Sequence, residues 1–218
     1  MNTINIFLSP RRYFTNLKEK REWLLPLFIV LISALLVSFV SRKFLTFEEI
    51  AERMRERGLG EEQIDRVKSF YHSPMSLIVS SFSVIFTTVI FILLFSLILN
   101  LSLPLFGQEG NFGLTFSLVA NSFLISALGN IIRIILMFLK RSPSVVTNLS
   151  LLLPATLKKT LLFSFFSHLD IFLIWQIALL GFGLNLTYEL KGKQGYYLVF
   201  GLYLLWVIFA TLFFRARG

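Results

Sequence analysis

The sequence predicts an all-α, polytopic integral membrane protein: a five-helix transmembrane bundle with an N-terminal interfacial helix and a short αα-hairpin in its first loop. Three observations predict it. Hydrophobic residues make up 56% of the 218-residue chain and charged residues 15%, where a soluble domain carries about 45–50% and about 25%. The mean hydropathy is +0.75. The charged residues cluster between apolar runs instead of alternating with them. Five of those runs reach the length of about 20 residues that a bilayer crossing needs. No second folded domain is visible, so residues 1–218 read as a single membrane domain.

Taken in order, the first element is amphipathic. Ser9 caps a helix, Pro10 takes its first position, and Tyr13, Phe14 and Leu17 form one face, with Arg11, Arg12 and Lys18 elsewhere. Such a helix lies in the membrane interface and leads into the first span, residues 23–40. Arg11 and Arg12 resemble a twin-arginine export signal, but Lys18, Lys20, Arg21 and Glu22 interrupt the approach to the apolar run, and no small-residue cleavage site follows. Residues 42–73 are the one substantial hydrophilic segment. Thr46 and Glu49 form a capping box that opens a helix carrying Ile50 and Met54 and stopping at Gly58. A second helix starts near Gly60, with Ile64, Val67 and Tyr71 on one face.

The second span, residues 75–103, exceeds one crossing and should tilt. The third covers 113–139. Residues 142–156 are too short and interrupted to cross, and are expected to lie flat at the interface rather than to re-enter it. The fourth span covers 160–184 and the fifth 195–214. No internal repeat is evident, which argues against an inverted-repeat transporter.

The net charge of +9 points to anionic headgroups rather than nucleic acid, because the basic residues flank apolar runs. Five basic residues lie in the N-tail, seven in the first loop, none in the second, four in the third, two in the fourth and two in the C-tail. One side therefore carries seven and the other thirteen, a lean toward an external N-tail that the cost of translocating five charges opposes, so the count leaves the orientation open. Without cysteine there are no disulfides or thiolate sites. His72 and His168 stand alone, so no metal or other cofactor is expected. Hydrolase and nucleotide-binding signatures are missing. Asp170 is the only acid inside a span, whereas an aspartyl protease needs two carboxylates. The composition predicts a protein without enzymatic activity.

Candidate functional residues are the polar ones at membrane depth. On a continuous fourth helix, Asp170 shares a face with Phe163, Ile177 and Gly181, opposite His168, Phe172, Trp175 and Leu179. On the third span, Ser122, Ser126, Gly129, Asn130 and Arg133 form one polar stripe at spacings of three and four. Counted from the shared third loop, Arg133 and Asp170 differ in depth by about 6 Å, so the two are expected to pair. Asn121, Asn130 and Gln176 are expected to hydrogen-bond between helices. His168 with Trp175 is a weaker candidate for a ligand or pH site than for simple packing. Gly181 and Gly183 permit close helix approach.

Several short stretches occur in a characteristic order: S9-P-R-R-Y-F14, W23-L-L-P26, G58-L-G-E-E-Q-I64, T147-N-L-S-L-L-L-P-A-T156 and L169-D-I-F-L-I-W-Q-I-A-L-L-G-F-G-L184. Together they resemble bacterial members of the Yip-domain family, the Ypt/Rab-interacting proteins, over nearly the whole chain. The resemblance implies five spans and a bacterial cytoplasmic membrane. In eukaryotic relatives it implies a cytoplasmic N-terminal region and a role in vesicle traffic through small GTPases. The D-L-Y-G-P type motif of that branch is missing, with H72-S-P-M75 before the second span, which speaks against GTPase binding here. The expected role is a membrane scaffold or trafficking-type adaptor, with lipids and a membrane-protein partner or second copy as contacts. The alternative is a small transporter or lipid-handling protein using Arg133 and Asp170.

Overall fold

The chain is all-helical in a computed structural model that describes residues 3–158 and 160–215. Lys159 and Arg217, counted above among the loop charges, lie outside the described residues. The helices are α1 (Asn5–Leu8), α2 (Pro10–Lys20), α3 (Leu24–Phe44), α4 (Phe47–Glu56), α5 (Glu61–Tyr71), α6 (Pro74–Ser102), α7 (Phe112–Ser122), α8 (Leu124–Lys140), α9 (Leu161–Ser167), α10 (Ile171–Thr187) and α11 (Gln194–Arg215). Among the described residues, four stretches are long and apolar enough to cross a membrane: Leu24–Phe44, Pro74–Phe106, Phe112–Lys140 and Gln194–Phe213. The fourth apolar run yields instead a helix of 17 residues, α10. Two compact units divide the chain.

One unit comprises Leu31–Ile90 and Asn130–Val145. It contains the hydrophilic hairpin. Thr46 Oγ1 accepts from the Glu49 N–H while the Glu49 carboxylate accepts from the Thr46 N–H, so the expected capping box is formed in both directions. Gly58, at φ +79°, ends the first helix in the left-handed region that glycine tolerates. The two helices pack on each other through Phe47, Ala51 and Ile64, with Met54 and Tyr71 at the edge. This corrects the expected faces in part: Met54, Ile64 and Tyr71 take part as expected, and Phe47 and Ala51 join them. Ile50 is only half-buried and Val67 is exposed. Phe47 is in helical phase with Ala51 and Met54, so its larger ring takes the inward position. Arg42, at the end of α3, lies 4.3 Å over the Tyr71 ring and donates to the Tyr71 carbonyl and to Ser76 Oγ. α3 and α8 are joined by Asn130 Nδ2 to Ser33 Oγ at 3.1 Å and by the Phe44–Phe138 ring contact.

The other unit comprises Met1–Val30, Phe91–Gly129 and Val146–Gly218. α2 forms where the sequence places it, with Pro10 at its start, but Ser9 makes no side-chain cap bond. Its apolar face is not presented to lipid. Tyr13, Phe14 and Leu17 are buried against α7 and α10, and the charged residues of α2 are exposed. The physical reason lies in α10: Gly183 brings its backbone so close to α2 that an added Cβ would meet the Phe14 ring at 3.0 Å. Gly181 does the same for α11 at Tyr196, also at 3.0 Å. Both glycines therefore serve close approach.

The third and fourth apolar runs diverge. Between α7 and α8 only Phe123 is non-helical; its N–H still bonds Val119 and its carbonyl still accepts from Ala127, so that helix bends without ending. The fourth run ends outright at Ser167 and restarts at Ile171. The expected continuous span over 160–184 is thus corrected to two helices, and Asp170 shares no helix with Phe163.

Candidate functional site

The break in the fourth run places backbone polar groups where few partners exist, and each partner can be named. α9 ends at Ser167, and Asp170 is the N-cap of α10, with its Oδ1 accepting from the Phe172 and Leu173 N–H groups at 2.9 and 3.2 Å. An anionic cap also complements the positive end of the helix dipole. Oδ2 accepts from the Thr147 hydroxyl. Residues 147–149 run antiparallel to 169–171: the Leu149 N–H donates to the Leu169 carbonyl at 2.9 Å, and the Ile171 N–H to the Thr147 carbonyl at 3.4 Å. Tyr203 of α11 donates to the His168 carbonyl at 2.7 Å. Irregular backbone at membrane depth is tolerated only when protein supplies its partners, and residues 147–149 supply them.

The contact with α11 falls near the midpoint of that helix. Tyr203 lies nine residues from Gln194, about 13 Å at 1.5 Å per residue, near the middle of a helix long enough to cross. Residues 147–149 are half-buried against the break. Within the stretch 142–156, residues 147–149 thus pair with the helix break and supply its backbone donors and acceptors.

The predicted site residues separate into distinct groups. Gln176 Oε1 accepts from Ser126 Oγ, joining α8 to α10, and Gly129 lets Phe172 approach so closely that a Cβ would meet its ring at 2.7 Å. Asn130 bonds Ser33. Ser122 bonds back to the Val119 carbonyl of its own helix at 2.7 Å. The stripe is therefore not one surface: its members serve different neighbours. His168 holds the Ser164 carbonyl through Nδ1 at 2.7 Å and meets the Trp206 ring, whereas Trp175 is exposed and meets Phe7. The helix break resets the angular phase between residues 168 and 175, so the two do not share the face expected of a continuous helix, and His168 packs on Trp206. Arg133 belongs to the unit containing residues 130–145 and Asp170 to the other.

A second polar cluster fastens α2. Asn121, fully buried, accepts from the Tyr13 hydroxyl and donates through Nδ2 to the Glu22 and Ser117 carbonyls, both at 2.7 Å. Ser117 Oγ bonds the Arg21 carbonyl at 3.0 Å. Burial, with the Glu22 carboxylate adding to it, pushes the Tyr13 phenol well above its ordinary value and keeps it a neutral donor. Asn121, Asn130 and Gln176 all form the interelement bonds expected of them. Tyr13, Ser117, Thr147 and Tyr203 were not singled out as site residues. Asp170 carried its own signal, since an aspartate immediately before an apolar run is also the mark of a helix start.

Long apolar helices, an interior held by paired polar side chains, and exposed hydrocarbon along α3, α6 and α11 define a helical integral membrane protein in contact with lipid. The Yip1 domain family matches residues 4–214. The chain belongs to that family, whose members are not known as enzymes. No curated protein and no solved structure matches the chain.

Proposed function

We propose that this Yip1-family chain is a non-enzymatic, five-span protein of the bacterial cytoplasmic membrane that acts as a scaffold or trafficking-type adaptor for other membrane components. In this reading α10, 17 residues long, completes its crossing together with α9 and residues 147–149. The observation that carries the proposal is the use made of the interior polar groups. Asp170 binds Thr147, Gln176 binds Ser126, Asn130 binds Ser33, and Asn121 binds Tyr13 and Glu22. Each of these bonds joins one part of the fold to another. The partner is a second copy or another membrane protein. Purification from native membranes in lipid nanodiscs should recover one membrane protein in fixed stoichiometry. Recovery of a monomer with no associated membrane protein would end the scaffold reading.

The helix break favours a second reading. Half-helix ends near the membrane centre are where transporters place their sites, and Arg133 facing Asp170 would make that end a polar centre for a proton, an ion or a lipid headgroup. Under this reading Asp170→Asn abolishes flux in proteoliposomes while expression and fold persist. Under the scaffold reading, the same variant keeps its partner.

A further inference from the structure

A cleft of about 340 Å³ opens between α6 and α11, within the unit that contains the helix break. Phe91, Leu94 and Ile98 form one wall and Trp206 part of the other; Ile177 and Leu180 of α10 form the floor. The floor is buried, while the wall side chains are about half exposed. Two polar side chains reach it, and both are engaged elsewhere: Gln176 with Ser126, and Tyr203 with the His168 carbonyl. An occupant is therefore asked for hydrocarbon contact and nothing else.

Three further observations select the occupant. The walls belong to two helices long enough to cross the membrane, and Tyr203 and Trp206 lie near the middle of α11. At that depth the surrounding solvent is acyl chain. The volume falls at the small end of the range for pockets that enclose one small ligand, about 300–1,000 Å³. A helix, about 10–12 Å across with its side chains, would rest on the rim instead of entering. Phe91 to Ile98 and Leu173 to Leu180 each run seven residues, giving a slot about 10 Å long at 1.5 Å per residue. We infer that this cleft holds one acyl chain of a membrane lipid, taken laterally from the bilayer between α6 and α11.

The test is lipid retention by the full chain, purified in mild detergent and weighed by native mass spectrometry. The wild type should carry one phospholipid per chain. Leu94→Trp, which fills the slot, should lower that occupancy about tenfold, corresponding to about 1.4 kcal/mol of lost binding. Leu97→Trp, on the lipid-facing side of the same helix and outside the cleft, should leave it unchanged. Equal retention in all three proteins overturns the inference. A photoreactive benzophenone side chain at position 94, activated after purification, serves should the tryptophan variant misfold. A lipid-mass adduct at 94 and none at 97 supports the acyl-chain occupant. A protein adduct at 94, from a second copy or another chain, or equal lipid adducts at both positions, overturns it.

Discussion

The third and fourth apolar runs are similar in composition, yet one remains a bent helix and the other breaks. The difference lies in what their polar side chains can donate. Ser117, Asn121 and Ser122 all carry hydrogens and give them to carbonyls of their own helix, at Gly113, Ser117 and Val119, with distances of 2.7–2.8 Å. A helix interior always offers carbonyls that can accept a second bond. A carboxylate only accepts, and within a helix every N–H is already bonded to the preceding turn. Asp170 finds donors by standing where a helix begins, since the first N–H groups of any helix lack internal partners. Breaking the run at residues 168–170 creates that beginning. The freed backbone groups then require residues 147–149 as a strand-like partner. One acidic side chain thus accounts for the break, for the strand-like pairing of residues 147–149 and for the role of Tyr203.

Replacing the cap gives the largest expected effect. Asp170→Ala leaves two N–H groups and the Thr147 hydroxyl without their acceptor, and should lower stability in detergent by about 3 kcal/mol, combining a lost cap with unmet buried donors. Asp170→Asn keeps a capping oxygen, because asparagine and aspartate cap helices about equally well, and should recover more than half of that loss. Unfolding curves for the two variants separate the cap from the charge. Equal losses would mean that the charge, not the cap, holds the break together.

On the third run, Asn121→Ala should cost about 2 kcal/mol, since it strands the Tyr13 hydroxyl and the Glu22 carbonyl in a buried place. Tyr13→Phe removes one of those bonds and should cost about 1 kcal/mol. Hydrogen exchange should show α2 loosened in both variants while α8 stays protected. Loss of protection throughout α7 and α8 in Asn121→Ala would mean that the residue supports its own helix more than it supports α2.

Much of this was legible in the sequence because hydrophobic length and capping are local signals. The limits of α3, α6 and α11, the capping box at Thr46 and Glu49, and the interelement roles of Asn121, Asn130 and Gln176 all follow from residue type and spacing. The break was not, because S167-H-L-D170 reads equally as a helix interior and as a helix start; only the distant strand-like partner at residues 147–149 decides between them. The fate of α2 was hidden for the same reason. An amphipathic face is equally satisfied by lipid or by a protein groove, and the groove exists only because Gly183 meets Phe14.

The pairing of Arg133 with Asp170 that the sequence leads one to expect calls for a particular experiment. Exchanging the charges is uninformative, because arginine at position 170 cannot accept the Phe172 and Leu173 N–H bonds. A double-mutant cycle of Arg133→Gln with Asp170→Asn preserves the cap in every protein of the set. A coupling of about 1 kcal/mol, within the range of about 0.5–3 for residues in contact, is expected if the pair exists. Additive effects would remove Arg133 from the site and leave the break held by its backbone partners alone.

The smallest effect belongs to the exposed end of the fourth run. Lys18 of α2 meets Glu189, just beyond α10, at 2.7 Å, with both side chains largely in water. The hydrogen bond and charge of Lys18 hold the Glu189 carboxyl below its ordinary value of 4.5. A carboxyl lowered in the folded state stabilises at pH above its unfolded value, and that contribution fades as acid protonates it through the lowered folded value. Glu189→Gln should therefore converge on the wild type as the pH falls through that lowered value, and differ slightly at pH 7. Because exposed pairs are screened by salt, the pH 7 difference should vanish at 1 M salt, whereas the loss caused by Asp170→Ala should persist. A salt-sensitive Asp170→Ala would place its carboxylate in water rather than at the start of a buried helix, and the contrast between the third and fourth runs would lose its cause.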